Sequence, residues 1–181
     1  MMKKYFMLLI VSVFVGVCTV NAQLVKQKVK IDKQSERDWY NCSFDKDGVY
    51  GACVNEAYEF LKGKKVKARP IVALIGTGID LEHEALKANL WKNAKDKPDG
   101  KDNDKNGYVD DVNGWNFVSN SNEICTGEED SHGTHGAGTI AAAWNNGGIA
   151  GITDSTHVKL MVLKALGGSE GKGSPESVIE A

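Results

Sequence analysis

The chain has 181 residues, 41% of them apolar, with 22 Lys and Arg against 24 Asp and Glu for a formal net charge of -2. This balance excludes a basic nucleic-acid-binding stripe, and the lysine clusters at Lys26 to Lys33 and Lys62 to Lys67 read as solvated linker or helix ends. The apolar share suffices for one modest domain with a core of its own.

Residues 1–22 have the three-part layout of a secretory signal: Lys3 and Lys4, the apolar run Tyr5 to Val17, and a small-residue site ending Val20-Asn21-Ala22. The expected mature chain begins near Gln23 and is secreted, periplasmic or at the cell surface. A membrane span is disfavoured because the run is shorter than the ~20 apolar residues a span needs. A lipid anchor on Cys18 is disfavoured by Val17, where a lipobox needs a small residue.

Residues 23–69 read as a mixed, polar lead-in. Within it, Val54, Ala57, Tyr58 and Leu61 fall at helical spacing and predict a short helix over Val54 to Lys62. Cys42, Cys53 and Cys125 survive signal removal. An oxidising compartment permits a Cys42 to Cys53 bridge contributing ~3 kcal/mol, and three reduced thiols are the alternative. The spacing gives no zinc pattern.

After Pro70 the character changes. Ile71 to Ile75 is a β-prone apolar run ending at Gly76-Thr77-Gly78, as expected of a buried parallel strand. A second such run, Val158 to Leu166, closes on Gly167 and Gly168. Between them the small-residue segment Gly133 to Trp144 predicts a helix. Ser174 is placed to cap another, with Pro175 at its first position. Strand, helix, strand, helix implies an α/β fold with a parallel sheet, where function gathers at the carboxyl ends of the strands.

The segment from Asp130 to Ala142, with His132-Gly133-Thr134-His135-Gly136-Ala137-Gly138 at its centre, resembles the histidine box of the subtilisin-like serine peptidases, the subtilases. The resemblance implies their fold, a parallel sheet with helices on both faces. It makes His132 the general base that takes a serine proton and returns it to the leaving amine, and leaves His135 to structure. Ile71 to Asp80 resembles the aspartate box, with Gly76 where relatives hold the aspartate that orients the histidine. Asp80 lies up to ~13 Å further along an extended chain and reads as the cap of a short helix beginning at Leu81. In a related subtilisin, loss of that aspartate alone costs ~10⁴ in turnover, about 6 kcal/mol. Gly136 is a second departure, since relatives usually carry Val or Cys there.

The loop Lys101 to Asp111 offers oxygen donors at Asp102, Asp104, Asn106 and Asp110, the carbonyl of Tyr108, and Gly107 for a sharp turn. This is the spacing of a calcium loop, with Asn113 where the bidentate Glu usually stands. A solvated turn rich in Asp and Asn is the alternative. Insertions of this kind are familiar in bacterial subtilases, so a structural Ca²⁺ is the expectation. Val162 to Ser174 resembles the strand and glycine-rich loop lining the subtilase groove, so Gly171, Lys172 and Gly173 are expected to pair with an extended peptide or protein substrate. Trp91, Trp115 and Phe117 read as core or rim packing.

The family orders its triad Asp, His, Ser along the chain. No serine in a G-T-S-M-A-like turn is present, and Ser174 and Ser177 offer no substitute. Residues 70–181 therefore read as the first half of a subtilase catalytic domain, a fragment without its serine box. The expected function is secreted serine endopeptidase at family level. The alternative is an inactive subtilase-fold module that binds peptide and calcium.

Overall fold

In the computed structural model, residues 38–65, 67–128, 130–144, 148–153, 157–167 and 173–181 are described. The signal segment lies outside them. Three strands, β1 (Ile71–Gly76), β2 (Gly114–Asn116) and β3 (Lys159–Lys164), form one parallel sheet in the order β1-β3-β2. The helices are α1 (Phe44–Asp47), α2 (Val54–Leu61), α3 (Asp130–Ala141) and α4 (Pro175–Glu180). Parallel strands with helices between them give the expected α/β class.

The central strand sets the core. Leu160 and Val162 of β3 are fully buried, and their register partners Val72 and Leu74 pack on the same face. Ala137 and Ala141 of α3 meet them there together with Ile79, Leu86 and Ile124. Small residues on α3 let the helix approach the sheet closely. The strand β1 was expected to be buried on both faces. Instead it is an edge strand that pairs with β3 alone among the described residues, and Ile71 and Ile75 are each 49% exposed.

Several local details differ from the sequence reading. Helix α3 begins at Asp130, three residues before the expected Gly133, and ends at Ala141. Asp80 caps a turn rather than a helix: its Oδ1 accepts from Glu82 N at 2.9 Å, and no helix starts at Leu81. Of the residues read at helical spacing on α2, Tyr58 is half-buried and Leu61 is 48% exposed. The cap of α4 is as read: Ser174 Oγ accepts from Ser177 N at 3.1 Å with Pro175 at the first helical position.

The lead-in is docked on the domain. Tyr40 Oη donates to Ala150 O at 2.5 Å, Ala150 N donates to Asp38 Oδ1 at 2.9 Å, and Tyr58 Oη donates to Ile152 O at 3.0 Å. The Tyr58 ring also meets Trp144 edge-on at 4.9 Å. These contacts hold the segment against the connection that follows α3. Cys53 and Cys125 are exposed thiols, and the buried Cys42 donates from Sγ to Asp38 O at 3.6 Å. No bond joins the three sulfurs in the structure, and Cys53 N reaches Cys42 O at 3.1 Å.

Candidate active site

Two segments 50 residues apart in sequence meet at the carboxyl end of β1. The turn 76–80 leaves the strand, and the first turn of α3, residues 130–134, lies on it. Gly133 N donates to Thr77 Oγ1 at 3.1 Å, and a Cβ on Gly133 would collide with Gly78 O. Gly78 has φ +98°, and a side chain there would strike Ile124 O and the Asp130 carboxylate. Both glycines are therefore required by backbone contact. Thr134 completes the junction, its Oγ1 donating to Asp130 O at 2.7 Å and accepting from Asp80 N at 2.9 Å.

His132 stands in this first turn, exposed to solvent. Gly76 is the last residue of β1, and its carbonyl accepts from Ala165 N and Leu166 N at 2.9 and 3.0 Å. The fold thus brings the His132 turn against the segment that begins at Gly76. At Gly76 a Cβ would meet nothing within 4 Å, so glycine here is not a steric requirement. Asp80 remains exposed and its carboxylate is engaged by Glu82 N. Exposed His135 belongs to an open cleft of about 870 Å³ walled also by His83, Cys125 and Ile149; His132 is not among its walls.

Beneath this junction lies a buried ion pair that the sequence reading missed. Lys164 Nζ sits 2.6 Å from Asp130 Oδ1 and also donates to Thr77 O, with both side chains withdrawn from solvent. Asp130 Oδ2 accepts from Thr126 N and from Gly127 N, the latter at 2.9 Å. Burial pushes the Asp130 carboxyl up, but the Lys164 ammonium and the Gly127 and Thr126 N–H groups outweigh it and hold it below the usual carboxylate value. The available signal was the period of β3: Leu160, Val162 and Lys164 share the inward face, so the third must bury its charge with a partner.

Of the groove candidates, Gly171 and Lys172 lie outside the described residues. Gly173 packs on the end of β3, where a Cβ would collide with Ala165 O and Leu166.

In the acidic loop, Asp102 accepts from Asn106 N and Gly107 N at 3.1 and 2.9 Å, and Asp110 accepts from Asp99 N and Gly100 N at 3.0 Å each. Asn106 Oδ1 accepts from Tyr108 N at 2.8 Å. Asp104 instead turns inward, where Asn93 Nδ2 donates to it and to Asp111 at 3.0 and 2.7 Å. Burial pushes the Asp111 carboxyl up, against hydrogen bonds from Asn93 and Asn106 and with help from the charges of Asp104 and Asp96. An all-oxygen donor set suits a hard cation. Among the described residues, however, no three His, Cys, Asp or Glu side chains are gathered closely enough to hold a metal ion. Trp115 is buried, Trp91 and Phe117 are half-buried, and the Tyr108 ring lies 5.0 Å from that of Trp115, as expected of packing residues.

Comparison with known proteins points in one direction. The model of the Subtilase family matches residues 67–181. Subtilisin-like protease 1 of Plasmodium vivax is 40% identical over 122 residues, covering 66% of this chain and 19% of its own length. The major intracellular serine protease of Bacillus subtilis is 37% identical over 121 residues, covering 66% of this chain and 30% of its own. Minor extracellular protease Vpr of Bacillus subtilis is 34% identical over 134 residues, 69% of this chain and 13% of its own. The chain thus spans less than a third of the length of these relatives.

Proposed function

Because the chain belongs to the subtilase family, we propose that it is the N-terminal part of a secreted serine endopeptidase in which His132 is the general base. The observation that carries this reading is the seating of the first turn of α3 on the end of β1 through the Gly133 to Thr77 bond. That contact puts an exposed imidazole at a strand end, where α/β sheets gather their chemistry. An extended peptide substrate would run along residues 171–173. Hydrolysis would require a serine and an oxyanion hole supplied by a longer chain.

Export rests on the layout of residues 1–22. Among the described residues no helix is long and apolar enough to cross a membrane. The relatives' names do not decide the compartment, since one is called extracellular and another intracellular. The acidic loop is proposed to take a structural Ca²⁺ through Asp102, Asp104, Asn106, the Tyr108 carbonyl and Asp110. Its oxygen chemistry supports this, and binding would require the Asp102 and Asp110 carboxylates to turn from their main-chain partners.

Gly76 favours a second reading, a subtilase-fold module that binds peptide without cleaving it. Labelling with a serine-directed covalent inhibitor separates the two. The 181-residue chain by itself is expected to remain unlabelled and to show no hydrolysis above background. The full-length protein is expected to label at one serine, with the reaction lost in His132→Ala. A full-length protein that takes no label selects the binding module, and labelling of the isolated chain at a single serine overturns both.

A further inference from the structure

We propose that Lys164 and Asp130 are a positioning pair that sets where His132 stands relative to the end of β1. The inference rests on the reading of His132 as the general base.

Lys164 is the register partner of Gly76, and neighbours in register share a face of the sheet. Its side chain is fully buried, and from the end of β3 its ammonium reaches two segments at once: Thr77 O, one residue beyond Gly76, and Asp130 Oδ1 at 2.6 Å, two residues before His132. Asp130 in turn gathers Thr126 N and Gly127 N on its other oxygen, so the loop leading into α3 is tied to the same cation. Thr134 repeats the link above the pair, bridging Asp130 O and Asp80 N. His132 therefore sits inside a ring of contacts whose charged hub is Lys164. With glycine at position 76, no carboxylate side chain arrives from the strand end to fix the imidazole. Its placement is carried by this pair together with the Gly133 to Thr77 bond.

An apolar side chain of similar length could fill the space of Lys164 without holding either segment, which distinguishes positioning from packing. The test uses the isotope-labelled chain at fixed pH and the ring resonances of His132, with those of His83 and His157 as internal references. In Lys164→Met the His132 resonances are expected to move while the references stay, and exchange of the Gly133 amide is expected to quicken at least tenfold. Asp130→Asn is expected to do the same, and Asp130→Glu to return His132 toward its parent position. Coincident His132 resonances in a folded Lys164→Met chain overturn the proposal, as does an equal movement of all three histidines. If Lys164→Met does not fold, Asp130→Asn decides on the same criteria. If neither folds, the pair is a requirement of the fold and the proposal fails. The readout needs no serine and no substrate, so a failure of the peptidase reading appears only in the inhibitor labelling.

Discussion

Gly76 and Lys164 face one another across two paired strand ends, and a carboxylate at position 76 would lie beside the stem of the buried lysine. The position has room for a side chain, so Gly76→Asp is expected to be accommodated without displacing backbone. In the full-length protein it is expected to raise turnover on an unstructured protein substrate by up to ~10⁴, the magnitude at stake in a related subtilisin. Equal, measurable rates for parent and variant would mean that another group orients His132. Asp130→Asn acts on the other partner of the lysine. It leaves the ammonium buried without its counter-charge, which is expected to cost about 3–5 kcal/mol at neutral pH, read from urea unfolding. The pH dependence has a definite sign. The folded carboxyl of Asp130 lies below its ordinary value of 3.8, so its stabilisation is complete above that value and is lost as pH falls through the folded one. The gap between parent and Asp130→Asn is therefore expected to close below about pH 4. A constant gap down to pH 2 would mean that the ionised pair is not what the substitution removes.

Among the elements, the acidic loop is held by its own side chains. Asp102, Asp104, Asn106 and Asp110 each accept at least one hydrogen bond within the loop or from its flanks. An ion that binds this folded loop and not the unfolded chain stabilises by mass action, about 2.7 kcal/mol at a hundred times its Kd. Calcium is expected to raise the melting temperature relative to chelator, and Asp104→Ala to remove most of that rise. Superimposable parent curves with calcium and with chelator would make the loop an ordinary turn. The other elements follow from short-range chemistry. Helix α4 begins where Ser174 and Pro175 place it, and its Ser177 Oγ donates to Ala165 O at 2.8 Å, tying the helix to the end of β3. The early start of α3 was not legible, because Asp130 takes its place there through Lys164, a partner 34 residues away.

At the scale of the whole molecule, residues 38–62 are part of the packed structure. Tyr58 joins α2 to the connection after α3 by a hydrogen bond and an edge-on aromatic contact. Tyr58→Ala is expected to lower stability by about 1–3 kcal/mol in urea and to speed amide exchange at residues 150–152. Unchanged exchange there would mean that the lead-in lies against the domain without holding it. What the sequence by itself determined was local: the β1 run, the α4 cap, the α/β class, the histidine box, and the glycine at position 76 of the aspartate box. Each is written in a periodicity of two or 3.6, a capping pair or a contiguous motif, all of which act within a few residues. Tertiary structure alone decided three things. It joined Lys164 to Asp130, joined Tyr40 and Tyr58 to main-chain carbonyls 110 and 94 residues away, and left Ile71 and Ile75 exposed on an edge strand. A buried charge must find a counter-charge wherever the folded chain brings one, and a strand is buried only where another element covers it.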